Sequence, residues 1–217
     1  MRGSQTIALK DQQVSLLPQR LVFWHDRNML ILADPHFGKA AAFRRSGLAI
    51  PTGTSAHDLQ RLYQAIDAVG ATRILILGDL MHAPGISSHG LTARIHRWRK
   101  KRLDIEWLLV RGNHDRCGDE MIDAFGFQKV VEQLVLGPFT FIHKPEMRSG
   151  TYVVSGHLHP AVQLAGPGGQ RERLPCFYLG RGHAILPAFG SFTGHAAVRP
   201  RGEDRVYAIA DERVIIL

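Results

Sequence analysis

An α/β fold with two β-sheets packed face to face is what this 217-residue sequence predicts. Two observations carry the prediction. Between residues 21 and 125, apolar runs alternate with amphipathic helical stretches and end in polar loops, the pattern of parallel strands joined by right-handed crossovers. From residue 130 onward the texture changes to short strands punctuated by Gly and Pro, as in a meandering, partly antiparallel sheet. No linker-like composition shift, repeat or low-complexity stretch separates the two parts. Residues 1–217 therefore read as one domain, a length that supports a sizeable core.

The elements follow in order. Leu21–Trp24 and Met29–Ala33 read as strands joined by a turn at His25–Asn28, and the second runs directly into Asp34-Pro-His36. Residues 37–54 contain Gly38, Gly47, Pro51 and Gly53 and read as a long basic loop carrying Lys39, Arg44 and Arg45. Ser55–Val69 has apolar residues at 59, 62, 63, 66 and 69, the spacing of an amphipathic helix, and Gly70 closes it. Arg73–Leu77 is an apolar strand ending in Gly78-Asp-Leu-Met-His82. A turn at Pro84 and Gly85 leads into a helix starting near Ser87 or Ser88. Leu91, Ile95 and Trp98 form its buried stripe, and Arg94, Arg97, Arg99, Lys100, Lys101 and Arg102 cover its other faces. The strand Ile105–Val110 ends at Arg111-Gly-Asn-His-Asp115, and a short helix over 119–125 follows. Further strands are expected at 130–136, 139–143, 151–155, 161–165, 174–179, 184–187 and 205–217, with 166–173 as a loop tip.

Composition narrows the function classes. Hydrophobic residues make up 45% and charged residues 21%, which excludes a disordered chain. The net charge of +8 favours an anionic partner such as nucleic acid. Two cysteines, Cys117 and Cys176, are too few for a disulfide framework and read as free thiols. No stretch approaches the roughly 18 consecutive apolar residues of a membrane helix, and Met1–Arg20 lacks the apolar core of a signal peptide. The expectation is a cytoplasmic protein with no membrane partner.

Five polar groups stand at the ends of apolar runs. They are Asp34-Pro-His36, Gly78-Asp79, Gly112-Asn-His-Asp115, His143 after Phe139–Ile142, and Gly156-His-Leu-His159 after Thr151–Val154. Residues two apart on a strand point to the same side, so Asp34/His36 and His157/His159 can each converge. Carboxylate oxygen, amide oxygen and imidazole nitrogen without thiolate suit Mn²⁺, Fe or Zn²⁺ better than an all-sulfur zinc site does. A single Asp-x-His or strand histidine is common by chance; all five in this order are not. His25, His57, His89, His96, His183 and His195 fit none of these groups and read as surface or structural residues. Arg111 and Arg116, which flank the third group, read as surface charge.

This string of motifs resembles the calcineurin-like metallophosphoesterase superfamily. The resemblance implies a four-layer α/β/β/α sandwich with two mixed sheets and a binuclear metal centre, Mn²⁺ being the expected ion. Asp34, His36 and His159 would bind one ion and Asn113, His143 and His157 the other, with Asp79 bridging. His114 would act as general acid or stabilise the transition state, and Asp115 would orient it. Gly78-Asp-Leu-x-His82 is similar to an SbcD-type nuclease branch, where His82 would lie near the scissile phosphate. Ala33–Lys39, Phe43-Arg-Arg45 with Gly47 and Pro51, and Leu186–Phe192 look like the small bacterial ligase-associated enzymes of PdeM type. These are DNA endonucleases linked to repair ligases and helicases.

The implied activity is phosphodiester hydrolysis by a metal-activated hydroxide. Its expected substrate is DNA, single-stranded or flexible, because no capping or DNA-gripping module is evident. Lys39, Arg44, Arg45, Arg94, Arg97 and Arg181 are the candidate phosphate contacts. The alternative is a phosphatase or nucleotide phosphodiesterase acting on a small phosphoester with the same metals.

Overall fold

The computed structural model describes residues 2–82, 89–115 and 120–217. Pro84, Gly85, Ser87, Ser88, Arg116, Cys117 and Asp119 lie outside the described residues. The first sheet takes seven strands in sequence order: β1 (Gln5–Leu9), β2 (Gln12–Leu17), β3 (Leu21–Trp24), β4 (Met29–Ala33), β5 (Arg73–Leu77), β6 (Glu106–Val110) and β7 (Lys129–Val131). β1 to β4 pair antiparallel, whereas β4 to β7 pair parallel. The second sheet is built from β8 (Gln133–Leu136), β9 (Phe139–Ile142), β10 (Tyr152–Ser155), β11 (Pro160–Ala165), β12 (Arg171–Leu179), β13 (His183–Ile185) and β14 (Ala196–Ala197). Its order is β14-β11-β12-β13-β10-β9-β8. The hairpin β15 (Arg205–Ala210) and β16 (Arg213–Ile216) joins through β12. Both sheets are mixed, since β9, β10 and β13 run parallel within the second.

The period of two along a strand explains the layering. In β4, Ile31 and Ala33 join β5's Leu75 and Leu77 and β6's Leu108 and Val110 against Phe139, Phe141, Val154 and Phe177 of the second sheet. Leu30 and Leu32, one residue out of phase, face the other way with Ile74, Ile76, Trp107 and Leu109. The helices α2 (Thr54–Val69), α3 (His89–Arg99) and α4 (Glu120–Phe125) cover that outer face through Leu59, Leu62, Ile66, Leu91, Ile95, Met121 and Phe125. Because β4, β5 and β6 are buried on both faces, they read as continuous apolar runs. The outer face of the second sheet carries a small cluster of Val162, Cys176, Val206 and Ala208. The two mixed sheets with their helices form the expected α/β sandwich, and among the described residues every α-helix precedes β7.

Several boundaries differ from expectation. The stretch 130–136 is two strands in different sheets, with Glu132 alone between them. The stretch 205–217 is a hairpin, turned at Asp211 with φ of 50°. The 37–54 loop contains α1 (Lys39–Arg45), and the N-terminal segment forms the hairpin β1–β2. The predicted loop tip contracts because β12 starts at Arg171 and pairs with β11.

Candidate metal centre

The parallel strands β4, β5 and β6 end together, and their carboxyl ends carry Asp34, Asp79 and Asn113. β9 and β10 end at the same margin of the molecule and lead into His143, His157 and His159. Open α/β sheets place their crevices at such ends. The loops beyond β4 and β5 continue to pair after the sheet stops. His36 N donates to Asp79 O at 2.9 Å, and Phe37 N to Leu80 O at 2.9 Å.

Each buried carboxylate commits one oxygen to a neighbouring loop. Asp34 Oδ2 accepts the His157 amide at 2.8 Å, tying the first sheet to the second, and Asp79 Oδ1 accepts the His114 amide at 3.0 Å. Asp34 Oδ1 has no hydrogen-bond partner among the described residues and lies 3.7 Å from His159 Nε2, itself unpartnered. Leaving such buried atoms unpaired is costly unless a ligand or ion satisfies them. Asp34, His36 and His159 each offer a donor atom, all within 4.8 Å of one another, and Asp79, His143 and His157 do the same. Asp79 lies between the clusters, its Oδ2 3.6 Å from His36 Nε2 and its Oδ1 3.5 Å from His143 Nε2. Asn113 Oδ1 is 3.1 Å from His143 Nε2. These positions fit a two-ion site with a bridging carboxylate.

Backbone carbonyls support two of the histidines. His143 Nδ1 lies 3.1 Å from Leu77 O, and His159 Nδ1 lies 3.0 Å from Gly194 O. A carbonyl only accepts, so His159 donates from Nδ1 and leaves Nε2 toward the site, the usual outer support of a metal-binding imidazole. His143 lies between two oxygens, since its Nε2 faces Asn113 Oδ1. Gly194 escaped the sequence reading, which cannot see a partner brought from a distant loop. Burial, then Lys39 and the neighbouring His159, His114 and His82 rings, pushes the His36 imidazole down to about 2, so it is neutral at ordinary pH. Burial and then His143 likewise lower His157.

The cradle is tight enough to require absent side chains. A Cβ on Gly112 would lie 2.2 Å from both the amide nitrogen and Oδ1 of Asp79. One on Gly156 would lie 2.5 Å from Asp34 Oδ2. Asp34, His36, Asp79, His157 and His159 all have positive φ, between 45° and 67°. Such backbone is unusual outside glycine and clusters at functional sites.

The remaining predicted residues divide. His114 lies at the mouth, its Nε2 3.9 Å from Asp79 Oδ2. His82 stacks on it at 5.5 Å and stands edge-on to His36 at 5.7 Å. Asp115 corrects the expectation. Its Oδ1 accepts Leu80 N at 2.9 Å and its Oδ2 accepts Gly112 N at 2.8 Å, and no contact among the described residues joins it to the His114 ring. It fastens the β6 loop to the β5 loop rather than orienting an imidazole. Lys39 reaches the site, where burial lowers its pKa and Asp79 and Asp34 oppose that. Arg44 Nη1 donates to Pro51 O at 2.8 Å and shares a groove with Arg94, while Arg45 and Arg97 are exposed. Arg181 is misplaced as a phosphate contact. It precedes β13, at the opposite end from the margin where β10 delivers His157.

Within the basic run, Arg99 is buried and donates to Arg102 O and Ile105 O, each at 3.0 Å, and Arg102 pairs with Asp67 at 2.9 Å, so both are structural. Arg111 is not free surface charge; it donates to Asp115 O at 3.3 Å and approaches Glu132. A cavity of about 450 Å³ opens beside Asn113 and His143, lined also by Arg111, Glu132, Lys144 and Arg148. Of the histidines outside the motifs, His25 bonds Ser15 Oγ, His183 packs on Tyr178, and His57 and His96 are exposed. His195 stands near enough to His159 to feel its charge.

A family model for calcineurin-like phosphoesterases matches residues 28–164. Among solved structures, the chain is similar to the Pseudomonas putida nuclease MPE. The two are 32% identical over 99% of this chain and 100% of that one, with a TM-score of 0.82. The phosphoesterase Yfce from Escherichia coli matches at 18% identity over 86% of this chain and 96% of its own, with a TM-score of 0.42. A protein of unknown function from Aquifex aeolicus matches at 16% identity over 60% and 78%, with a TM-score of 0.43. No curated protein matches by sequence.

Proposed function

From the premise that this chain belongs to the calcineurin-like phosphoesterase family, whose members hydrolyse phosphoester bonds with divalent metals, we propose that residues 1–217 form a two-metal phosphodiesterase that cuts single-stranded or flexible DNA internally. The carrying observation is the pair of donor clusters, Asp34/His36/His159 and Asp79/His143/His157, meeting at one margin of both sheets. Similarity to a nuclease over the whole length supports nucleic acid as the substrate class. The ligand set is oxygen and imidazole nitrogen, and Cys176 is buried in the second sheet with its thiol pushed up to about 12, which favours Mn²⁺ over a thiolate-bound ion.

When bound, two divalent ions supply Lewis acidity toward a phosphoryl oxygen and activate water. The chain contributes the rest. Asp79 holds the two clusters in register. Asp34 locks the His157 loop through its second oxygen. His114, at the open side of the site, would stabilise charge on phosphate or protonate the departing oxygen. Lys39, Arg44 and Arg94 supply positive charge along the approach. A role in DNA repair, alongside a ligase and a helicase, and a cytoplasmic location belong to the same reading.

The test is Mn²⁺-dependent cleavage of circular single-stranded DNA, compared with an aryl phosphodiester and an aryl monoester. Linearisation of the circle is expected, along with a steep fall in DNA binding as salt rises. Turnover of the monoester alone would replace the nuclease reading with a phosphatase.

A further inference from the structure

Phe43 and Phe192 belong to none of the three hydrophobic clusters of the core. Both are half-buried. They pack edge to face on each other, ring centres 5.5 Å apart at 78°. Phe43 also lies over His82 at 5.8 Å, and His82 in turn meets His36 and His114. A continuous ladder of rings therefore runs from the candidate metal centre out to two phenylalanines whose remaining surface faces solvent.

The two rings are held from different directions. Phe43 lies on α1 between Lys39, which feels Asp34 and Asp79, and Arg44, which is fastened to Pro51 O. Phe192 follows a rigid turn. The Ser191 amide and hydroxyl both donate to the buried Asp58, and Arg61 lies over Phe189 at 4.3 Å while donating to its carbonyl oxygen. A Cβ on Gly190 would lie 2.4 Å from Pro35 O, so the turn sits directly against the Asp34 loop. Aromatic surface that is rigid, half-exposed and flanked by cations beside a phosphodiester site has the make-up of a stacking platform for a nucleic-acid base.

We propose that Phe43 and Phe192 receive the unpaired base next to the scissile phosphate. The proposal rests on the nuclease reading and deepens it. Every base has a π-face, so the platform gives affinity without sequence preference. A base within a duplex has both faces covered by its neighbours, so the platform favours strands already unstacked.

The test compares cleavage of a single-stranded oligonucleotide with that of the same oligonucleotide carrying abasic residues around the cut site, both in Mn²⁺. The wild-type enzyme is expected to prefer the base-bearing strand by about tenfold or more in kcat/KM, the size of one stacking interaction. Phe43→Leu and Phe192→Leu, tested separately, should bring that ratio close to one, whereas Phe43→Trp should preserve it. The fluorescence of a 2-aminopurine placed at the same position should be quenched by the wild type and by Phe43→Trp, and not by the leucine variants. An unchanged ratio and unchanged quenching in both leucine variants would overturn the platform. A wild type that cleaves neither oligonucleotide, yet turns over bis(p-nitrophenyl) phosphate, would overturn the nuclease reading itself and the platform with it.

Discussion

His143 Nε2 stands 3.1 Å from His157 Nδ1, while the other nitrogen of His143 is occupied by the carbonyl of Leu77. Two imidazoles from two separate loops thus aim ring nitrogens at one point, with Asp79 Oδ1 3.5 Å from the first. Such a cluster is held together by a cation better than by its own hydrogen bonds. Replacing His157 with Ala should therefore lower metal-dependent phosphodiester turnover by more than about 100-fold, exceeding the loss typical of an outer supporting group. Calorimetric titration with Mn²⁺ should show weakened binding, and circular dichroism should show the fold retained. Full activity in this variant would remove His157 from the site.

Gly112→Ala should damage both stability and activity. The added methyl would lie 2.2 Å from Asp79, against backbone that cannot rotate away. Overpacking of this kind costs roughly 1–3 kcal/mol, which for a chain of this size lowers Tm by roughly 2–12 °C. A thermal melt checks the first effect and turnover at saturating Mn²⁺ checks the second.

Asp115→Ala separates the two roles considered for this carboxylate. Its oxygens accept the amides of Leu80 and Gly112 in a buried position, so their loss should destabilise the protein by about 1–3 kcal/mol through unpaired N–H groups. The pH dependence of kcat should keep its shape, because the His114 ring is not what Asp115 holds. A displaced limb in that profile, with unchanged stability, would restore the orienting role.

Acid should unfold the metal-free protein early. His36, His82 and His157 all have pKa values lowered by burial first, with His36 down to about 2. Between the unfolded value near 6.5 and these folded values, the unfolded chain binds protons that the native chain refuses. Stability therefore rises with pH across that window and falls as pH drops below about 6.5. Urea midpoints measured from pH 7.5 to 4.5 should decline steadily, and flat midpoints would contradict the burial of these rings.

Metal should stabilise the fold in proportion to its concentration. At about 100 times Kd, a single bound ion adds about 2.7 kcal/mol. The Mn²⁺-dependent rise in Tm should disappear with EDTA and in Asp79→Ala, since Asp79 touches both clusters.

The site was legible in sequence to the extent that its groups terminate apolar runs. Asp34, Asp79 and Asn113 follow strands that must be apolar because both faces are covered. His143 and His157 follow strands of the second sheet by the same rule. What spacing could not convey depends on contacts between distant segments. Nothing local marks Asp115 as the acceptor for Leu80, or Gly194 as the support of His159. Phe43 looked like part of a loop because α1 is short and set among glycines. Residues 130–136 look like one strand because the alternation of side chains continues while the chain changes sheets. Arg181 sits beside a strand whose direction, not its sequence, decides which end of the molecule it occupies.

At Glu132 the chain passes from β7, at one margin of the first sheet, to β8, at the same margin of the second. The sheets are stitched again beside the site, where the Phe189 amide donates to Ala33 O at 2.7 Å and the His157 amide to Asp34 Oδ2 at 2.8 Å. A further bond, Val214 N to Gly3 O at 2.8 Å, joins the C-terminal hairpin to the N-terminal one. Ligands contributed by two different sheets are therefore clamped to each other at the site itself, so motion between the sheets is resisted where it would change the coordination distances.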